Sequence, residues 1–365
     1  MATLYYPIIK LGESEIKALE NSNAFVIDNI NPIIEITRGR KSSATKVELG
    51  GELYPFDKRF GRIKSVFNGK PICIDLTSDE DLMNGQIRQL YNPENGYNNW
   101  ITFLSNLESE KTFSDITPCI VINGMDDNFE ANLKAQANSL VKIFGKFIYR
   151  SSIIDESCYS DLKTLKEYIG NLIVLIDCDY VIQPQANEVT EKIRTRINNL
   201  NELCNHNIST YIISSTSFPK SISKIGNDDA DEFFLSEVKI FSDLKKDFKN
   251  IIYSDYCSVN PSRNDTVVMA RGWIPRIDVP LKDKIYYIRQ RRPKGITQYA
   301  STYSDVARQI VKTKDFPNLE DNWGIEQIIN CSEGAAPSSV PSFWIAVRMC
   351  IHLETQCERI YLRKM

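Results

Sequence analysis

Hydrophobic and polar positions alternate in a repeating order along the first two thirds of the chain. Eight short apolar runs are each closed by a charged or polar residue, and stretches with helical spacing lie between them. The runs are Tyr5-Tyr6-Pro7-Ile8-Ile9, Pro32-Ile33-Ile34-Glu35-Ile36, Pro71-Ile72-Cys73-Ile74-Asp75-Leu76 and Pro118-Cys119-Ile120-Val121-Ile122-Asn123, followed by Phe147-Ile148-Tyr149-Arg150, Leu172-Ile173-Val174-Leu175-Ile176-Asp177, Thr210-Tyr211-Ile212-Ile213-Ser214 and Ile251-Ile252-Tyr253-Ser254-Asp255. Each is strand-sized. Helices are predicted over 14–21, 56–67, 79–90, 97–107, 128–144, 159–169, 187–204 and 233–248. Asn128 to Phe144 carries Phe129, Leu133, Ala137, Leu140, Val141 and Phe144 on one face, and Gly145 follows as a C-cap glycine. Asn92-Pro93-Glu94-Asn95-Gly96 separates two helices by turn chemistry.

Eight strands alternating with helices predict an α/β chain of the (β/α)8 TIM-barrel type. A doubly wound open sheet shares the alternation, but such sheets usually open with a glycine-rich first turn. Lys10-Leu11-Gly12-Glu13-Ser14 holds one glycine, and neither a GxGxxG nor a Walker loop occurs. After Asp255 the rhythm changes. Thr266 to Trp273 and Lys284 to Arg289 read as an inserted β-hairpin, Thr302 to Lys312 as the last barrel helix, 326–330 and 343–353 as further helices, and Arg359 to Leu362 as a short edge strand. The predicted organisation is one domain: eight strand-helix units over 1–258, the hairpin insertion over 259–297, and a last helix with a C-terminal extension over 298–365.

The bulk properties narrow the function classes. With 44 basic and 47 acidic residues the net charge is -3, so no global field steers the chain toward nucleic acid or an anionic membrane. No apolar run approaches the ~18 residues of a membrane span, and the first ten residues lack the pattern of a signal peptide. The expectation is a soluble, cytoplasmic protein. Nine cysteines without a CxxC pair read as reduced core thiols. Only two histidines occur, His206 and His352, which leaves little material for zinc sites or Ser-His-Asp triads. His206 falls in a loop on the face away from the strand ends. His352 lies on a helix, where a lone histidine more often packs than catalyses.

The strand-closing residues carry the candidate chemistry. In a barrel they converge on one mouth. Lys10, Glu35, Asp75, Arg150, Asp177 and Asp255 are the candidate catalytic groups, with Asp179 nearby. Asn123, Ser214, Arg271 and Trp273 are candidates for substrate contact. Glu35, Asp75 and Asp177 are hard oxygen donors suited to Mg²⁺ or Mn²⁺. Lys10 and Arg150 suit an anion, and the carboxylates suit acid-base work. The same residues also suit a buried salt-bridge frame, in which a Lys10–Glu35 pair across neighbouring strands is expected. The charge run of 37–51 and the basic run of Arg289, Arg291, Arg292 and Lys294 read either as solvated loops or as contacts. The second run would touch phosphates or nucleic acid locally.

Several short motifs, in order, resemble the beta protein family of phages and bacteria. They are Tyr5-Tyr6-Pro7-Ile8-Ile9-Lys10 with Ser14 to Leu19, Asn31-Pro32-Ile33-Ile34-Glu35, Ser254-Asp255-Tyr256, Val268 to Trp273, Asn322-Trp323-Gly324 through Cys331, and the helix from Trp344 to His352. In this family the last segment ends in two histidines and an aspartate follows the Trp-Gly pair. Here Ile351-His352 and Gly324-Ile325-Glu326 stand instead. The resemblance implies a part in phage-bacterium conflict, such as antiviral defence, as a sensor or a module binding a companion subunit or phage protein. The residue reading keeps a second class open, a metal- or acid-base-dependent hydrolase of a phosphorylated or nucleotide-like substrate.

Overall fold

A computed structural model describes residues 4–43, 51–220, 229–262, 272–295 and 297–362. Three β-sheets form the frame. The first is parallel, in the order β1 (Ile8–Lys10), β2 (Ile33–Ile36), β3 (Pro71–Leu76), β4 (Asp115–Pro118). The second is also parallel, in the order β5 (Phe147–Ser152), β6 (Leu172–Tyr180), β7 (Thr210–Thr216), β9 (Ile251–Asp255). The third has the order β10 (Arg276–Pro280), β11 (Lys284–Arg289), β8 (Ala230–Phe234), antiparallel throughout.

The α/β alternation is present, but the closed barrel is not. The described strands fall into sheets of three or four, and none closes on itself. Among the described residues only isolated bridges, Tyr5 to Tyr253 and Cys119 to Ile148, link the edges of the two parallel sheets. Local chemistry explains the interruption at β4. Its last residue, Pro118, has no N–H to give to a neighbouring strand. At the other edge β1 is three residues long.

Helices connect the strands: α1 (Glu13–Glu20), α2 (Ala24–Asn29), α3 (Asp57–Val66), α4 (Gly85–Leu90), α5 (Glu94–Ser109), α6 (Phe129–Phe144), α7 (Cys158–Thr164), α8 (Ala186–Leu203) and α9 (Ser236–Leu244). Then come α10 (Ala300–Ile310), α11 (Trp323–Ser332) and α12 (Pro341–Tyr361). Gly145 ends α6 at φ 73°, as its position predicts. At the start of α5, Asn95, Gly96 and Tyr97 all take positive φ. A Cβ on Gly96 would come within 2.7 Å of Ala135 Cβ, so only glycine fits this crossing.

Three elements depart from the sequence reading. The fourth strand lies at Asp115–Pro118, upstream of the apolar run predicted for it. Phe233 and Phe234 belong to β8, and helix α9 starts only at Ser236. Arg359 to Tyr361 continue α12 and form no edge strand. Most of the predicted strand from Thr266, with Arg271, lies outside the described residues. The hairpin partner of Lys284–Arg289 is instead Arg276–Pro280.

Period-two alternation sorts the strand side chains into two sets. Ile9, Ile34, Ile74, Tyr149, Val174, Tyr211 and Tyr253 join the large core beneath the helices. Ile8, Ile33, Cys73, Ile148, Leu175, Ile212 and Tyr256 form a small inner cluster shared by the two parallel sheets. A further core lies between the antiparallel sheet and α10, α11 and α12. No helix among the described residues is long and apolar enough to cross a membrane.

Candidate functional site: a buried ionic cluster at the strand ends

The residue two places after each inner apolar residue shares its face. Ile8 is followed by Lys10, Ile33 by Glu35, Cys73 by Asp75, Ile148 by Arg150, Leu175 by Asp177 and Ile212 by Ser214. An apolar layer therefore carries a polar layer directly above it. Parallel register aligns that layer: Lys10 with Glu35, Glu35 with Asp75, and Asp177 with Ser214.

Arg150 sits at its centre. Its Nη1 donates to Glu35 Oε2 at 3.0 Å and to Asp75 Oδ2 at 2.7 Å. Its Nε and Nη2 donate to Asp177 Oδ2 at 3.0 and 2.7 Å, and Nη2 also donates to the Tyr256 hydroxyl at 2.9 Å. That hydroxyl in turn donates to Asp177 Oδ2 at 2.5 Å. Lys10 Nζ donates to Glu35 Oε1 at 2.6 Å. A guanidinium has five N–H bonds, and these contacts engage all five. Glu35, Asp75 and Asp177 are buried, and the Arg150 side chain retains 23% exposure.

The electrostatics separate the carboxyl groups. Burial alone would raise Glu35, but Lys10 and then Arg150 outweigh it and hold the group down at about 2. At Asp75 burial wins over Arg150, and the Glu35 charge adds to it, so this carboxyl lies above its ordinary range. Asp179, just outside, donates its N–H to Asp177 Oδ1 at 3.0 Å and has φ 51°. Its side chain is exposed, and desolvation, then the Asp177 charge, pushes it up to about 6. Burial and then Asp177 raise Tyr256 well above the ordinary tyrosine range. Ser214 and Ser254 have buried hydroxyls without a protein partner.

Five of the sequence candidates thus meet: Lys10, Glu35, Asp75, Arg150 and Asp177. The guanidinium occupies the point where the three carboxylates suited to a metal converge. Among the described residues, no group of three or more His, Cys, Asp or Glu is arranged to hold a metal ion. Tyr256 completes the cluster and lies outside the sequence candidates, although its place two residues after Ser254 and four after Ile252 puts it on the inner face. Asn123 lies elsewhere. It lines a cleft of about 450 Å³ with Ser78, Arg88, Tyr91 and Asn92. Trp273 stacks on Tyr299 beside the third sheet. Arg271 lies outside the described residues. In the basic run, Arg292 stacks over Tyr299 at 4.0 Å, while Arg291 and Lys294 are exposed.

Asp255 points the other way. It shares the face of Tyr253, and its oxygens accept bonds from four groups under α12. Oδ1 accepts from the Tyr5 hydroxyl at 2.8 Å and the Cys257 N–H at 2.9 Å. Oδ2 accepts from the Tyr253 hydroxyl at 2.9 Å and lies 2.7 Å from His352 Nε2. Burial opposes its charge, but His352 and these donors hold it below the ordinary range. Both side chains are essentially inaccessible.

Glu237, at the start of α9, is buried near this group. One oxygen accepts the Ser217 N–H at 2.9 Å, and the other has no partner. Burial, then the Asp255 charge, raises it from 4.5 to about 8. A raised carboxyl keeps its proton in the folded state and loses it in the unfolded chain at neutral pH. Stability therefore falls as pH rises from about 4.5 through about 8. Glu237→Gln removes that penalty and is expected to stabilise the protein at pH 7 by about 3 kcal/mol. The advantage should widen until about pH 8 and then level off. Urea midpoints at pH 5, 7 and 9 test this; a variant no more stable than the parent at pH 9 refutes it.

These elements define an α/β protein whose parallel strands end in a buried, mutually paired ionic cluster. The chain belongs to the Beta protein family, whose model matches residues 5–358. It is 26% identical to Protein beta of Enterobacteria phage P4 over an alignment that covers 97% of this chain and 93% of that protein. No solved structure matches the chain.

Proposed function

We propose that this chain is a partner-binding or sensor component acting in conflict between phage and bacterium. The supporting observation is the Arg150 cluster. Every N–H of its guanidinium already has a protein acceptor, and the three carboxylates around it are buried and paired. Such a group is a frame that holds strand ends. An anionic substrate could take Arg150 only by breaking one of these bonds, and a metal could take the carboxylates only by displacing the guanidinium. The relation to a phage protein supports the setting. The companion is a protein subunit of the same locus or a phage protein. A tagged chain expressed from its native locus, with and without phage infection, is expected to co-purify with a stoichiometric protein partner. A chain recovered alone under both conditions overturns the reading.

One observation favours a second reading, hydrolysis of a phosphorylated or nucleotide-like substrate. Asp179 is exposed beside Asp177 and titrates at about 6, where a carboxyl serves as acid or base near neutrality. Nucleotide and phosphodiester turnover with added Mg²⁺ or Mn²⁺ separates the two. The frame reading expects no turnover, whereas turnover lost in Asp179→Asn with unchanged stability establishes the hydrolase.

A further inference from the structure

A half-open cleft of about 190 Å³ is lined by residues of the antiparallel sheet and α12 and of neighbouring segments, among them Trp273, Tyr303, Trp344, Arg276, Asp278 and Arg348. Neither the Arg150 cluster nor Asp255 contributes to it. Its aromatic walls are held flat by stacking. Trp344 lies against Tyr303 with ring centres 5.0 Å apart and planes 15° apart, and Trp273 lies against Tyr299 at 4.0 Å and 10°.

Among the described residues its polar lining is two arginines and one carboxylate, and Asp278 Oδ1 has no donor in hydrogen-bond geometry. Arg348 Nη1 donates to Asp278 Oδ2 at 2.7 Å, and Arg276 Nε lies 2.9 Å from Asp278 Oδ1. The Arg348 side chain is 3% exposed, its guanidinium lies 3.8 Å over the Phe218 ring, and its Nε has no acceptor. Glu15, buried on α1, also favours the Arg348 charge and has a further interaction of its own. Burial, and next among the lowering influences Arg276, pulls Arg348 below its ordinary range despite Asp278. A buried donor without an acceptor is costly, and an anion or a water that reached it would satisfy it.

We propose that this cleft binds a carboxylate attached to a single aromatic ring, the carboxylate meeting Arg348 and Arg276 and the ring lying among Trp273, Tyr303 and Trp344. In size the cleft, about 190 Å³, has room for one ring, since benzene fits a space of about 150 Å³. The same chemistry has two sources, a free ring acid or the C-terminal aromatic residue of a peptide. The site is independent of the partner-binding reading, and it stands or falls by direct binding.

The test is titration of the whole chain with benzoate, N-acetyl-phenylalanine and, as neutral controls, benzamide and N-acetyl-phenylalanine amide, read by calorimetry and tryptophan fluorescence. Saturable binding of a carboxylate, weaker by about tenfold or more for its amide, is expected, because losing one partner of a charge-assisted pair costs at least that factor. Arg276→Gln should abolish the preference, and its urea midpoint checks that the variant is folded, because Arg276 also pairs with the buried Asp278. Ile345→Phe, which fills the cleft from its wall, should abolish binding altogether. Stronger binding of benzoate assigns a free acid, and stronger binding of N-acetyl-phenylalanine a peptide end. No saturable binding, equal binding of acid and amide, or binding undiminished in both variants overturns the proposal.

Discussion

Arg150→Met is expected to destabilise the protein by about 4 kcal/mol or more, because removing one partner of a buried ionic group leaves uncompensated charge behind. Here the loss falls on Glu35, Asp75 and Asp177 together, all buried and all bonded to the same guanidinium. Arg150→Lys should recover only part of it, since an ammonium offers three donors to acceptors arranged for five. The pH dependence distinguishes this from lost packing. In the parent chain Glu35 contributes stability above its ordinary 4.5, and that contribution disappears as pH falls through about 2. In the methionine variant the carboxylates repel, so protonating them helps. The gap between parent and variant should therefore narrow steadily below about pH 5. Urea unfolding from pH 7 to pH 3 measures it. A constant gap across that range would show that the cluster's charges are not what the arginine stabilises.

Asp255→Ala is expected to cost a similar amount by a different route. Four donors converge on this carboxylate: two tyrosine hydroxyls, a backbone N–H and the His352 ring. Each buried donor left without an acceptor costs about 1–3 kcal/mol, and the tyrosines can recover part of that by rotating their hydroxyls. A net loss of about 4 kcal/mol follows. Asp255→Asn keeps the shape and one good acceptor and should cost less than half as much. The loss should be localised, because Tyr5 and His352 connect β9 to both ends of the chain. Hydrogen exchange of α12 amides near His352 should accelerate far more than that of α6. Equal acceleration in both helices would falsify the idea that this contact specifically anchors α12.

Seven of the eight strands of the parallel sheets were legible in the residues, the fourth being misplaced, and so was the meeting of Lys10 with Glu35. Closure of the sheet was not. Counting strands gives no information about hydrogen bonds at the edges, where a proline such as Pro118 and a three-residue strand such as β1 limit pairing. The side on which Asp255 points was hidden for a related reason. Ile251-Ile252-Tyr253 is apolar on both faces, so hydrophobicity does not reveal which parity is inner. Tyr256 could have been found by carrying the alternation one residue past the strand. His352 had a readable signal as well. It stands in a stretch, Phe343 to Leu353, that is apolar but for Arg348 and itself, and a histidine buried there requires a polar partner. Which partner depended on tertiary contacts 97 residues apart in the chain.

The spacing of the ionic cluster has a consequence for synthesis on the ribosome. Glu35 and Asp75 precede Arg150 by 115 and 75 residues, and Tyr256 follows it by 106. While the chain is being made, Asp75 in the first sheet has no guanidinium to receive it and Glu35 has only Lys10. Asp255 has the same problem until His352 emerges. A nascent chain stalled before residue 350 should therefore remain open to proteases and chaperones, and completion should come in a single late step.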